Sequence, residues 1–346
     1  MSVREMIITR SSPGLGKPGR YLAYLPGLAL LALVGYAGKV AANYVPHMEY
    51  VLFAIAFGMA ITNAIPLPRV FNVGIRTYEL WLKIGIVFLG SRLAWQNVMS
   101  IGATGLCLVV VEILISILVA RYLAARAGLS EKLGSLIGVG VGICGVSAII
   151  GATGAIDARE EDASYAIATI LIFGAFMVFL YPFLGHLLGL DATAFGYWAG
   201  LSVDNTAEAV ATGFAFSEAA GQVATVVKMS RNALMGFVIL GFALHYARQG
   251  VAKEVENKAL FVWQRFPKFL LGFLAISLLV SLGFFAPAQV KVLSNLSKWF
   301  FLLTFAGVGL SLRFDRMKAG FKPFLVGLGV ETAVATITLL MILLVF

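Results

Sequence analysis

The chain alternates long apolar runs with short polar joints. A bilayer core of roughly 30 Å needs about 20 apolar residues per helix. On that rule, spans fall near 21–43, 49–65, 76–93, 97–125, 161–189, 217–247, 266–284, 292–312 and 320–346. Two further apolar stretches, 132–157 and 192–214, are interrupted by short polar breaks. One break runs Gly142-Ile143-Cys144-Gly145-Val146-Ser147-Ala148, and the other Ser202-Val203-Asp204-Asn205-Thr206-Ala207-Glu208. Each stretch has the length for one interrupted crossing or for a re-entrant hairpin, and the sequence does not choose between them. The pattern predicts an all-α polytopic membrane protein with about eleven membrane segments, two of them broken or re-entrant.

Irregular backbone at membrane depth survives only where protein or a wet cavity satisfies its amides. Paired breaks are how membrane transporters build a substrate site from half-helix ends. An elevator-like architecture is therefore expected. Residues 1–20 would form a cytoplasmic tail and 21–346 a single transporter domain, with a substrate-carrying core of about 132–247 and a scaffold made by the other spans.

Composition narrows the class. Of 346 residues, 60% are hydrophobic and 12% charged, with a mean hydropathy of +0.93. Soluble domains carry about twice that charge fraction. The net charge of +9 does not imply a nucleic-acid partner, because the basic residues sit in the joints. Arg4, Arg10, Lys17 and Arg20 precede the first span, Arg69 and Arg76 follow the second, and Arg121, Arg126 and Lys132 follow the fourth. Lys253, Lys258, Arg265 and Lys268, and then Arg313, Arg316, Lys318 and Lys322, occupy two later joints. All fall on one side if the N-terminus is cytoplasmic, as the positive-inside rule requires. A multi-pass membrane protein with a cytoplasmic N-terminus follows as the expectation. The acidic loop from Asp157 to Asp162 then favours crossing segments. No cleavable signal peptide is evident, and Cys107 and Cys144 offer neither a disulfide framework nor zinc spacing.

The chain also matches itself. Ser147–Gly154 lines up with Thr206–Gly213, and Gly90–Glu112 lines up with Gly309–Glu331. The second pair lies an odd number of crossings apart, as inverted transporter repeats do.

The candidate chemistry centres on the breaks. Ser147 and Asn205 or Thr206 stand where new helices begin, and a helix start with unpaired N–H groups is an anion site. Asn205-Thr206-Ala207-Glu208 also has capping-box spacing, with Glu208 folding back on the break. Within 217–247, Lys228 and Arg231 share a helix face near Asn232. Buried intramembrane charge is a functional-site hypothesis by default. Two cations suggest an anionic substrate, against a structural pairing with Asp204, Glu208 or Glu218. Lys228→Ala is accordingly expected to abolish anion binding in a folded protein. Asp204 and Glu208 are candidates for a coupling Na+ or H+, or else balance the two cations. Lys83 and Glu112 are expected to form a structural pair.

Other patterns carry less. Gly140-Val141-Gly142-Ile143-Cys144-Gly145 spells G-x-G-x-x-G, but it follows no strand and fails the dinucleotide context. His47, His186 and His245 lie near span ends, so Cys144 and Ser147 lack a base and no enzyme is expected. No phosphate-binding P-loop pattern occurs, so an ion gradient rather than a nucleotide is expected to drive transport, with no cofactor and no metal.

The two breaks, together with Gln222–Lys228 and Arg231, resemble the YeiH-type family of bacterial inner-membrane proteins, which are described as sulfate exporters. The resemblance runs from about residue 50 to the end. It implies a secondary transporter of a small anion (sulfate, a sulfonate or a carboxylate), held between the breaks by Cys144, Gly145, Ser147, Ala148, Asn205, Thr206, Lys228 and Arg231. Acidic residues at Asp204 and Glu208 depart from the family's pattern and point to a different coupling ion or substrate. The alternatives are an Na+- or H+-coupled carrier of another small solute and an anion channel. The scaffold spans are the natural surface for a homodimer.

Overall fold

A computed structural model describes residues 22–45, 49–250, 255–313 and 320–346. The expected tail 1–20, with Arg4, Arg10, Lys17 and Arg20, lies outside the described residues, as do His47, Lys253, Arg316 and Lys318. The described residues are helical, without strands. In chain order the helices are α1 (Leu25–Ala42), α2 (Tyr50–Ala64), α3 (Arg69–Ile75), α4 (Tyr78–Leu89), α5 (Trp95–Arg126), α6 (Glu131–Val139), α7 (Val146–Ala155) and α8 (Glu160–Leu187). They continue with α9 (Ala192–Ser202), α10 (Thr206–Phe216), α11 (Glu218–Ala233), α12 (Met235–Arg248), α13 (Lys258–Arg265), α14 (Phe269–Ser281), α15 (Pro287–Ser311) and α16 (Phe321–Val345).

Among the described residues, six helical segments are long and apolar enough to cross a membrane: α1, α5, α8, α11 with α12, α15 and α16. A seventh is reached if α13 and α14, bent by 69°, form one span. The protein is therefore a multi-pass membrane protein. The nine apolar runs read from the sequence all coincide with helices, but α2, α4 and α14 have only 15, 12 and 13 residues. Polar and turn-forming residues trim each run below the length that hydropathy alone suggests.

Two compact units divide the chain. The first holds α1–α4, α14 and α15. Its helices approach backbone to backbone through small residues, as membrane helices must when lipid gives no hydrophobic drive for association. Gly27 faces Gly74, and Gly309 faces the Ile55 carbonyl. Ser297 donates to the Gly85 carbonyl at 2.8 Å and Ser277 to that of Leu93 at 2.9 Å. These bonds satisfy hydroxyls that would be costly to bury alone.

The second unit holds α5–α13 and α16 and contains the whole 132–247 segment. Its helix starts carry polar caps: Ser130 for α6, Asp191 for α9, Asn205 for α10 and Ser217 for α11. Each satisfies amides that no residue within the helix can reach. The segments that match in sequence fall on like elements. Ser147 and Thr206 both sit in the first turn of a short helix, and Glu112 and Glu331 lie near the middle of α5 and α16.

Close glycine contact makes a specific demand on the first unit. A Cβ at Gly309 would lie 2.2 Å from the Ile55 carbonyl oxygen, whereas one at Gly154 would meet nothing within 4 Å. Gly309→Ala is expected to destabilise by about 1–3 kcal/mol through overpacking. Gly154→Ala is expected to be neutral or slightly stabilising, because alanine is the better helix former. Thermal unfolding in detergent checks the pair, and equal melting temperatures would contradict the packing.

Candidate functional site

The two breaks are built differently. After α6 the helix widens into a π-turn, Gly140–Cys144, in which the Gly145 N–H reaches back to the Gly140 carbonyl at 2.9 Å. Such turns free carbonyls from the usual ladder and cluster at functional sites. Gly145 then takes φ 63° and ψ −124°, a conformation open only to glycine. A side chain there would also press within 3.1 Å of Ile170. The second break is an extended step. α9 stops at Ser202, Val203 is extended, and Asn205 caps α10 by accepting from the Ala207 N–H at 3.0 Å.

The breaks meet. A Cβ on Gly145 would lie 3.5 Å from the Asn205 backbone nitrogen, so the two breaks are within van der Waals reach of each other. Four of the carbonyls around the breaks then accept from two cations of α11. Lys228 Nζ donates to Ile143 O at 2.8 Å and to Val203 O at 2.7 Å. Arg231 Nε donates to Gly142 O at 2.8 Å, and its Nη1 donates to Leu201 O at 2.5 Å and to Val203 O at 3.2 Å. Both side chains are fully buried. Helix C-termini carry about half a negative charge each, and the last carbonyls lack partners within the helix. Lys228 and Arg231 answer both needs at two helix ends at once.

This changes the expected role of the cations. From the sequence they were candidate anion ligands or structural partners of Asp204, Glu208 or Glu218. In the structure Lys228 has two of its three ammonium donors committed to backbone, and Arg231 is committed to backbone and to Glu112, with Nε 3.2 Å from Oε2. The structural partner of Arg231 is thus Glu112, not Asp204, Glu208 or Glu218. The expected Lys83–Glu112 pair does not form, since Glu112 is fully buried beside Arg231 while Lys83 is exposed. Only half of the capping box forms. Asn205 caps, but the Glu208 carboxylate turns to α8 and fills the space left by Gly174, where a Cβ would lie 1.8 Å from its Oε2.

The open side of the breaks is polar and uncharged. Ser147 is exposed in the first turn of α7, and Asn205 and Thr206 are half-buried at the start of α10. Asn232 Nδ2 donates to Thr206 Oγ1 at 3.0 Å, leaving the threonine hydroxyl hydrogen free to donate. Cys144 is buried with its sulfur 3.4 Å from that of Met235, and Ala148 is fully buried. The structure sets Gly145 against Asn205, with Ser147 two residues beyond the one and Thr206 next to the other, and hydrogen-bonds Lys228 and Arg231 to carbonyls of both breaks. It gives Cys144 and Ala148 packing positions.

Asp204 lies between the helix ends, fully buried, and its carboxyl lies against that of Glu331 from α16. Glu112 and Glu331 belong to this cluster although neither was singled out as a site residue. The sequence signal that could have found them was their match to each other in the Gly90–Glu112 and Gly309–Glu331 alignment.

Arg231→Met removes the side-chain donor from Gly142 O and Leu201 O, takes one of two from Val203 O and strands Glu112. Breaking a buried pair from one side costs about 3–5 kcal/mol. A large fall in melting temperature is expected, with a smaller fall when Glu112→Gln is added in a double-mutant cycle. Lys228→Ala is likewise expected to destabilise the protein rather than silence a folded one. An unchanged melting temperature in either single variant would show that the carbonyls do not depend on these cations.

Comparison with known proteins agrees with the resemblance seen in the sequence. The family model "Conserved hypothetical protein 698" matches residues 26–327. A UPF0324 membrane protein of Nitratidesulfovibrio vulgaris is 34% identical over 335 residues, covering 92% of this chain and 93% of the relative. Another, from Corynebacterium glutamicum, is 31% identical over 322 residues, covering 91% of each chain. A third, from Streptococcus agalactiae, is 30% identical over 332 residues, covering 92% of this chain and 96% of the relative. With a matched region that takes in α2–α15 and both breaks, the chain belongs to the UPF0324, or YeiH-type, family of membrane proteins.

Proposed function

We propose that the protein is a secondary active transporter of a small anion in the bacterial inner membrane, with its N-terminus cytoplasmic. The observation that carries this reading is the meeting of two broken helices deep in one unit, with their C-terminal ends neutralised by Lys228 and Arg231. Neutralising the carbonyl ends leaves the N-terminal ends of α7 and α10 as the unbalanced dipoles, and these favour an anion. Ser147, Asn205 and Thr206 add neutral donors on the accessible side. Sulfate, a sulfonate or a carboxylate fits that chemistry. Lys228 and Arg231 contribute at longer range, holding the frame and raising the local potential.

On this reading the eleven segments, including α6–α7 and α9–α10 as the broken pair, form inverted repeats. The unit of α5–α13 and α16 carries the substrate in an elevator-like cycle of alternating access. The charge balance also supports a second reading. The four clustered buried carboxyls of Glu112, Asp204, Glu208 and Glu331, against the two buried cations Lys228 and Arg231, suit an ion-coupled carrier of another small solute, for which anions would give no counterflow.

The test is counterflow of labelled sulfate, sulfonates and small carboxylates in liposomes. Saturable counterflow is expected for one of these classes. A single neutral hydrogen bond contributes about 0.5–1.5 kcal/mol, so Ser147→Ala should raise the half-saturation concentration about three- to tenfold with little change in melting temperature, whereas Asn205→Ala should raise it similarly and also lower the melting temperature, because it removes the cap of α10. Linear, unsaturable flux would favour a channel, and absence of flux for every anion from folded protein would overturn the anion reading.

A further inference from the structure

Six ionisable side chains are buried together in the second unit: Glu112, Asp204, Glu208 and Glu331, with Lys228 and Arg231. Each is at most 4% exposed. Fully ionised, the set would carry two excess negative charges in a region closed to water. An unpaired buried ion costs several kcal/mol even after the protein relaxes. The pairings place the excess on Asp204, Glu208 and Glu331, since Glu208 Oε2 too is buried without a partner. Glu112 is held by Arg231. Lys228 gives hydrogen bonds to two carbonyls, not to a carboxylate. Among the described residues, none of the four oxygens of Asp204 and Glu331 accepts a hydrogen bond from a nitrogen or hydroxyl donor. Yet the two carboxyl groups lie against each other.

Two carboxyls in contact cannot both ionise without a counter-charge, and they commonly share a proton. The surroundings exclude a simpler answer. The groups that face this pair are Tyr181 from α8, Glu112 from α5, Glu208 from α10, and Lys228 and Arg231 from α11. None of them donates to it. The carbonyls that could have helped to ligate a sodium ion (Gly142, Ile143, Leu201 and Val203) already accept from Lys228 and Arg231. Two side-chain cations stand where helix-end carbonyls of other transporters bind a coupling ion.

We infer that the Asp204–Glu331 carboxyl pair is the coupling site of this protein and binds a proton, not Na+. The inference rests on the transporter reading above. The step is an acid–base exchange: water on one side of the membrane gives a proton to the pair, and the pair returns it to water on the other. Asp204 is the residue next to Asn205, the cap of α10. An ionised pair therefore sets negative charge beside the proposed anion site and repels the substrate, whereas a protonated pair removes that charge. Anion and proton should bind together and travel together. The Trp198 indole, which donates to the Ala335 carbonyl one turn beyond Glu331, ties α9 to α16 and keeps the two carboxyls in register.

Infrared spectroscopy of the purified protein tests the pair without any substrate. The carbonyl stretch of a protonated carboxylic acid is expected at neutral pH, to bleach on alkaline titration, and to lose intensity in both Asp204→Asn and Glu331→Gln but not in the exposed variant Glu161→Gln. Full wild-type intensity in both pair variants would overturn the inference. Thermal unfolding of each variant reports whether it is folded, and Glu331→Asp supplies a second variant that keeps the acid. In liposomes, sulfate is the first probe. Uptake driven by an inward proton gradient, relative to sulfate counterflow, should fall at least tenfold in Glu331→Gln and recover in part in Glu331→Asp, with no response to replacing Na+ by K+. A requirement for Na+ would also overturn it. Absence of sulfate counterflow in the wild type would count against the anion reading alone, because the infrared result stands apart from it.

Discussion

The site depends on one arrangement: two cations on a single helix face hydrogen-bonded to backbone carbonyls at two helix breaks. In a bilayer each unsatisfied carbonyl costs several kcal/mol, so a helix can stop at membrane depth only if something answers for its end. Lys228 and Arg231, three residues apart on α11, do so for both breaks from one scaffold. This is a structural use of charge, but its consequence is chemical. With the C-terminal dipoles cancelled, the N-terminal ends of α7 and α10 are left to set the local potential.

The same arrangement fixes the charge imbalance. Arg231 has a carboxylate partner in Glu112, while Lys228 spends its hydrogen bonds on carbonyls. Asp204 and Glu331 are left facing each other with no cation committed to them. Support of the breaks and availability of a proton site are then two results of one distribution of donors. Changing either cation alters both, which is why variants at these positions report first on folding.

Glycine makes the meeting possible. At Gly145 the backbone adopts φ 63°, which side chains with a Cβ rarely tolerate, where it turns against Asn205 and Ile170. At Gly174 the missing side chain leaves the volume that the Glu208 carboxylate fills. Two small residues, one at a turn and one on a facing helix, thus admit polar groups into a packed interior.

The sequence by itself determined the helical class, the position of every long helix and the location of both breaks. These follow from local physics: apolar run length, turn residues, and the cost of interrupting backbone hydrogen bonds in lipid. It also singled out Lys228, Arg231 and Asp204, because charge inside an apolar run is visible without a fold. The partners were decided only by the tertiary structure. Glu112 joined Arg231 across 119 positions of sequence, and Asp204 met Glu331 across a comparable distance. Glu208 left its cap for Gly174, and Lys83 stayed exposed. A pattern of apolar and polar residues says which groups must be satisfied, but not by whom. Only packing decides which donors reach which acceptors, and here it set Lys228 and Arg231 on the carbonyls of two helix ends.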